Sequence, residues 1–168
     1  MKDKRMLRAV LLTFAAILIL INIVPIPIRM QRSAFEIDWR DGHHDEEKTV
    51  IINGWYRVNV FTGNHRFNGS VKISEYPETH GALWTQGLTM TRVERPGRIA
   101  SLRFAIMTYR DESRPEYIPL PFGTIYATAF FRHVYINVWA EDRSSTVFIV
   151  TNAISPDDAV LRFQRRFQ

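Results

Sequence analysis

The run from Leu7 to Ile28, LRAVLLTFAAILILINIVPIPI, constrains this chain more than any other stretch. Only Arg8, Thr13 and Asn22 interrupt its apolar side chains. At 1.5 Å per helical residue, roughly 20 residues cross a hydrocarbon core of ~30 Å. Residues 9–28 are therefore predicted to be a transmembrane signal-anchor helix. Lys2, Lys4, Arg5 and Arg8 precede it against one acid, Asp3. That bias keeps residues 1–8 in the cytoplasm as the n-region and places the rest of the chain outside. A cleaved signal peptide has a shorter apolar core followed by small residues at a cut site. Here Arg32 stands where the pair Ser33-Ala34 needs a second small residue, so the anchor is expected to stay uncleaved. Pro25 and Pro27 are expected to end the helix at the outer interface, since proline cannot continue it.

The anchor explains much of the composition. Net charge is +5, but the first eight residues hold four of the 22 bases and one of the 17 acids, leaving the remainder near +2. The high isoelectric point is thus partly topological, and no nucleic-acid partner is expected outside a membrane. There is no cysteine, which excludes a disulfide framework, a thiolate nucleophile and a Cys-based zinc site. A cysteine-free exported domain fits a bacterial cell membrane. About 130 residues follow the anchor, enough for one hydrophobic core.

Residues 29–48 are dense in charge from Arg40 to Lys48 and are predicted to be a juxtamembrane linker, within which Phe35, Ile37 and Trp39 alternate with polar residues as in a short strand. Residues 49–168 read as a β-rich extracytoplasmic domain. Val50-Ile51-Ile52 leads into Asn53-Gly54, a tight-turn pair. Trp55 to Phe61 then alternates with a period of two, placing Tyr56, Val58 and Val60 on one face. After a turn at Gly63-Asn64, Phe67 to Tyr76 resumes, with Gly69 marking a bulge or break. Leu88 to Glu94 and Ile99 to Tyr109 form a predicted hairpin across Pro96-Gly97. Arg110 to Pro121 carries three prolines and is the longest irregular loop, the best place for a binding loop, although a surface crossover between strands is the expected reading. Thr124–Phe130, His133–Trp139 and Thr146–Thr151 follow as strands.

The end is helical. Ser155 is an N-cap, Pro156 takes the first helical position, and Asp157 and Asp158 suit the helix dipole. Ser155 and Asp158 have capping-box spacing, and Val160, Leu161, Phe163 and Phe167 supply an apolar stripe. The expected fold is mainly β: a small antiparallel barrel or two-layer sandwich of about seven strands, with the helix covering an open edge or end. Through Gly54-Trp55-Tyr56, Phe67-Asn68-Gly69 and Gly123-Thr124-Ile125-Tyr126, the chain resembles single-span bacterial proteins with a β-rich outer domain. That resemblance implies no activity.

Few residues carry chemistry. His43 and His44, with Asp41, Asp45, Glu46 and Glu47, offer metal-ligating types, but adjacent residues rarely converge on one ion without a rigid scaffold. They read as a solvated segment, and no metal site is expected. His65, His80 and His133 are isolated, and a pairing such as His133 with Glu141 or Asp142 depends on the fold. No nucleophile elbow, zinc-protease motif, phosphate loop or dinucleotide fingerprint accompanies them, so no catalytic residue or cofactor is assigned. Trp55, Trp84 and Trp139 suit either stacking on a ligand or core filling, and core filling is expected. The functional expectation is a membrane-tethered, non-enzymatic domain that binds a partner protein or an envelope component. The alternatives are an envelope-acting, metal-dependent hydrolase and a structural subunit of a membrane complex using Asn22 in the span.

Overall fold

The computed structural model describes residues 2–38, 44–80, 88–93, 102–109, 120–139 and 146–167. Helix α1 is Lys2–Ile23, and its unburied window Met6–Ile23 is long and apolar enough to cross a membrane. Its polar side chains turn back on the helix itself. Thr13 Oγ1 donates to the Ala9 carbonyl at 3.0 Å and Asn22 Nδ2 to the Leu18 carbonyl at 2.7 Å. Such bonds spare the apolar helix unsatisfied polar groups.

The helix stops at Ile23, two residues before Pro25, so residues 26–28 belong to a strand and not to the helix expected over 9–28. Pro25 is followed at once by a strand, β1 (Ile26–Asp38). Next come β2 (His44–Arg57), β3 (His65–Ile73), β4 (Leu88–Arg92), β5 (Arg103–Tyr109), β6 (Leu120–Ala127), β7 (Val134–Trp139) and β8 (Thr146–Thr151). Every neighbour pair is antiparallel, and β8 returns to β1 through Ala34↔Thr151 to Asp38↔Val147, which closes the barrel. The fold is therefore the barrel of the two expected alternatives, with eight strands rather than seven.

The additional strand corrects the reading of residues 29–48 as a linker. Residues 29–38 lie in β1 and 44–48 in β2, paired from Ile26↔Tyr56 to Ile37↔His44. Their backbone groups bond across strands, so charged side chains can remain outside while the backbone is ordered. Asn53-Gly54 is also corrected: it lies inside a continuous β2, not at a turn. Gly54 pairs with Gly69 of β3 in an unbroken register, so Gly69 marks neither bulge nor break. A Cβ on Gly54 would stand 2.3 Å from the Asn68 carbonyl oxygen, and one on Gly69 2.7 Å from the Phe67 ring. The two glycines are there for close approach of backbones and for room around Phe67. The turn at Gly63 holds, with Gly63 at φ 70°. The β4–β5 hairpin also holds, through Thr91↔Phe104 and Arg92↔Arg103, although its Pro96-Gly97 turn lies outside the described residues.

An eight-stranded barrel is just wide enough for side chains to fill. Ile52, Tyr56, Phe67, Val71, Ile73, Met90, Met107, Ile125, Phe131, Ile136 and Ile149 are nearly or fully buried in one interior cluster. A second cluster lies on the outer face: Ile37, Leu102, Tyr135, Phe148 and Val150 pack beneath α2 (Pro156–Phe167) through Ala159 and Phe163. The helix thus covers barrel wall rather than an open edge, because closure leaves no edge to cover. In α2 the buried stripe runs Ala159, Phe163 and Phe167, while Leu161 is exposed, contrary to its expected place in the stripe.

Candidate functional site

The three histidines go to three different places. His65 opens β3 inside the barrel, only 6% exposed, where its Nδ1 and Tyr56 Oη share a hydrogen bond of 2.5 Å. The rings of Phe130 and Phe131 stand 5.3 and 5.6 Å from Tyr56 and wall off the pair. Burial, helped by Arg103, lowers His65 to about 4, while burial pushes the Tyr56 phenol up to about 12. Both groups are neutral near pH 7, and the hydrogen bond is a core contact. His80 lies beyond the far end of β3, roughly 25 Å of strand from His65, and its Nε2 donates to the Ile73 carbonyl at 2.8 Å. At the same end of the barrel Lys48 is buried and pairs with Glu36 and with the half-exposed Glu75, and Tyr76 Oη donates to Glu36 at 2.8 Å.

His133 is the exception. It stands at the start of β7 in a cleft of about 260 Å³ lined by Tyr135 and by Arg162, Arg165 and Arg166 of α2. The local sequence builds this cleft from a well-capped helix. Asp158 N donates to Ser155 Oγ at 3.2 Å, and Asp158 Oδ2 accepts from Ile154 N at 3.0 Å, one residue earlier than in an ordinary capping box. The same carboxylate accepts from Arg162 Nε at 2.7 Å, which orients the first arginine and holds the Asp158 carboxyl below its usual range. Arg32 of β1 donates to Asn152 Oδ1 at 2.5 Å, and Asn152 Nδ2 donates to the Arg132 carbonyl at 2.9 Å, drawing two more arginines toward the cleft. Burial first, then Arg166, Arg132, Arg162 and Arg32, lower the His133 imidazole below its ordinary value. Arg166 Nε is buried and has no hydrogen-bond partner among the described residues. An unsatisfied buried guanidinium nitrogen is costly and is relieved by an acceptor oxygen.

No motif in the sequence marks this grouping; only the fold brings the arginines of α2 to His133. The other candidates do not join it. Asp41, His43, Trp84, Glu141, Asp142 and residues 110–119 of the long loop lie outside the described residues. His44, Asp45 and Glu46 open strand β2, and Glu47 is exposed on the same strand. Among the described residues no group of three metal-ligating side chains forms. Trp55 and Trp139 are 55% and 43% exposed on the barrel's outer face, so neither fills the core as expected. No protein-family model matches the chain, and no curated protein or solved structure is significantly similar to it.

Proposed function

We propose that this chain is a single-pass membrane protein whose barrel stands on the extracytoplasmic side and binds an anionic, phosphate-bearing component of the envelope in the arginine cleft. The observation that carries the reading is the convergence of Arg162, Arg165 and Arg166 on His133, with a buried guanidinium nitrogen left unpartnered. Planar guanidinium forks match phosphate oxygens two at a time. The filled barrel directs binding to the surface rather than to an internal ligand cavity. The neutral, aromatic-walled Tyr56–His65 pair supports a binding role over hydrolysis. Asn22 is already occupied by the Leu18 carbonyl and by Val60 N, which weakens the reading as a subunit docked through that residue.

The test is a titration of the full chain in lipid nanodiscs with fluorescently labelled polyglycerol phosphate, read by anisotropy. The Arg162→Gln/Arg165→Gln/Arg166→Gln variant is expected to bind at least about tenfold more weakly, the loss of roughly one charge-assisted hydrogen bond or more. Equal affinity of both proteins would refute the cleft as the site.

A further inference from the structure

The cleft under α2 is not the only basic surface, and a second one lies where α1 meets the barrel. We infer that the outer face of β2 and β3 beside the end of α1 is a binding site for the headgroup of an anionic phospholipid, with the loop 58–64 seated in the bilayer interface. The inference rests on reading α1 as a membrane span.

The loop's height is set by a hydrogen bond. Val60 N donates to Asn22 Oδ1 at 3.1 Å, and Asn22 is the penultimate residue of α1. If α1 spans, its last turn lies at the outer boundary of the hydrocarbon, and Val60 lies there with it. The loop is shaped for that position. Asn59 Oδ1 accepts from Phe61 N and Thr62 N at 3.1 and 3.0 Å, and Arg103 Nε donates to the Gly63 carbonyl at 3.1 Å. These bonds hold out Phe61, 77% exposed, and Val60, 47% exposed. Large apolar side chains at a loop tip cost nothing in an interface and are unfavourable in water.

Directly above, Trp55 pairs with Asn68 and Arg57 with Arg66 across the two strands. With Pro25 these four line an open cleft of about 280 Å³. Both arginines are exposed, and among the described residues no carboxylate pairs with either. Like charges directly opposite in a sheet repel each other, a cost removed when one phosphate bridges both guanidinium groups. Trp55 adds an amphipathic ring at the level where indoles sit among headgroups. Acyl chains would then run down beside Phe61 and the last turn of α1.

Brominated lipids test this in vesicles holding the full chain in a phosphatidylcholine background, with the tryptophan signal at position 55 taken as the difference from Trp55→Phe. Brominated phosphatidylglycerol is expected to quench that signal at least twofold more than an equal fraction of brominated phosphatidylcholine. Arg57→Gln/Arg66→Gln is expected to make the two lipids equal without lowering the thermal melt, since both side chains are exposed and their mutual repulsion is removed. Excess inorganic phosphate is expected to leave the preference intact; if it abolishes the preference, the site takes free phosphate and the lipid assignment falls. Equal quenching in the unaltered protein, or an undiminished preference in the double variant, would overturn the site. Release of the chain from vesicles by alkaline extraction would overturn the membrane reading, and the inference with it. Retention with equal quenching would remove the lipid site alone.

Discussion

His65 has an imidazole held among Tyr56, Phe130, Phe131 and Arg103, where a second proton would place a cation away from water and near a guanidinium. Its folded pKa of about 4 lies below the ordinary 6.5, so the unfolded chain takes up the proton first. The stability of the closed pair is complete above pH 6.5 and is lost as pH falls toward 4. At about 1.4 kcal/mol per pKa unit, the loss is on the order of 3 kcal/mol. Denaturant unfolding measured from pH 7 to pH 4 should show this acid limb, and His65→Gln should flatten it. The pairing itself was not legible in the sequence. Tyr56 and His65 lie nine residues apart, and only the β2–β3 register brings them together. Gly54 shows the same limit from another side. A glycine needed for close approach and one needed for a left-handed turn look alike in sequence, and Asn53-Gly54 resembled the turn.

Helix α2 was the most legible element because its signals are local. Ser155, Pro156 and the two aspartates mark its start within four residues. What it packs against was not legible, since the outer cluster joins residues from four strands, Val93 and Leu102 beside the β4–β5 hairpin, and the segment before the helix. Phe163 anchors it, 4% exposed, with ring centroids 4.4 Å from Phe148 and 4.8 Å from Phe167. Phe163→Ala should destabilise the domain by about 3–5 kcal/mol in chemical denaturation, through lost burial and the cavity left behind. It should also weaken polyanion binding, because the same helix carries the three arginines. Strand β1 is the opposite case. Ile28, Met30 and Ala34 turn inward, but Arg32 interrupts the apolar alternation, and the register shift opposite Phe35 to Ile37 comes from an extra residue in β2. Its order comes from pairing with β2 and β8, the latter more than a hundred residues away in the chain.

At the scale of the whole molecule, the mainly β class and the apolar N-terminal helix followed from periodicity and length. The choice of barrel over sandwich did not, because closure is decided by the β1–β8 pairing alone. The arginine cleft is likewise assembled from β1, β7 and α2, far apart in sequence. Orientation in the membrane has a direct check that the cysteine-free chain makes simple. A single cysteine at exposed Gln164 should react with a membrane-impermeant maleimide on intact cells, and one at Asp3 only after permeabilisation. The proposed anion-binding role of the cleft is tested most directly at His133, held below its ordinary pKa by burial and by the surrounding arginines. Its imidazole NMR signal should be followed against pH in the full chain in nanodiscs, with and without saturating polyglycerol phosphate. The expected result is a depressed pKa that rises when the polymer neutralises Arg162, Arg165 and Arg166. A titration unchanged by the polymer would contradict the proposed function.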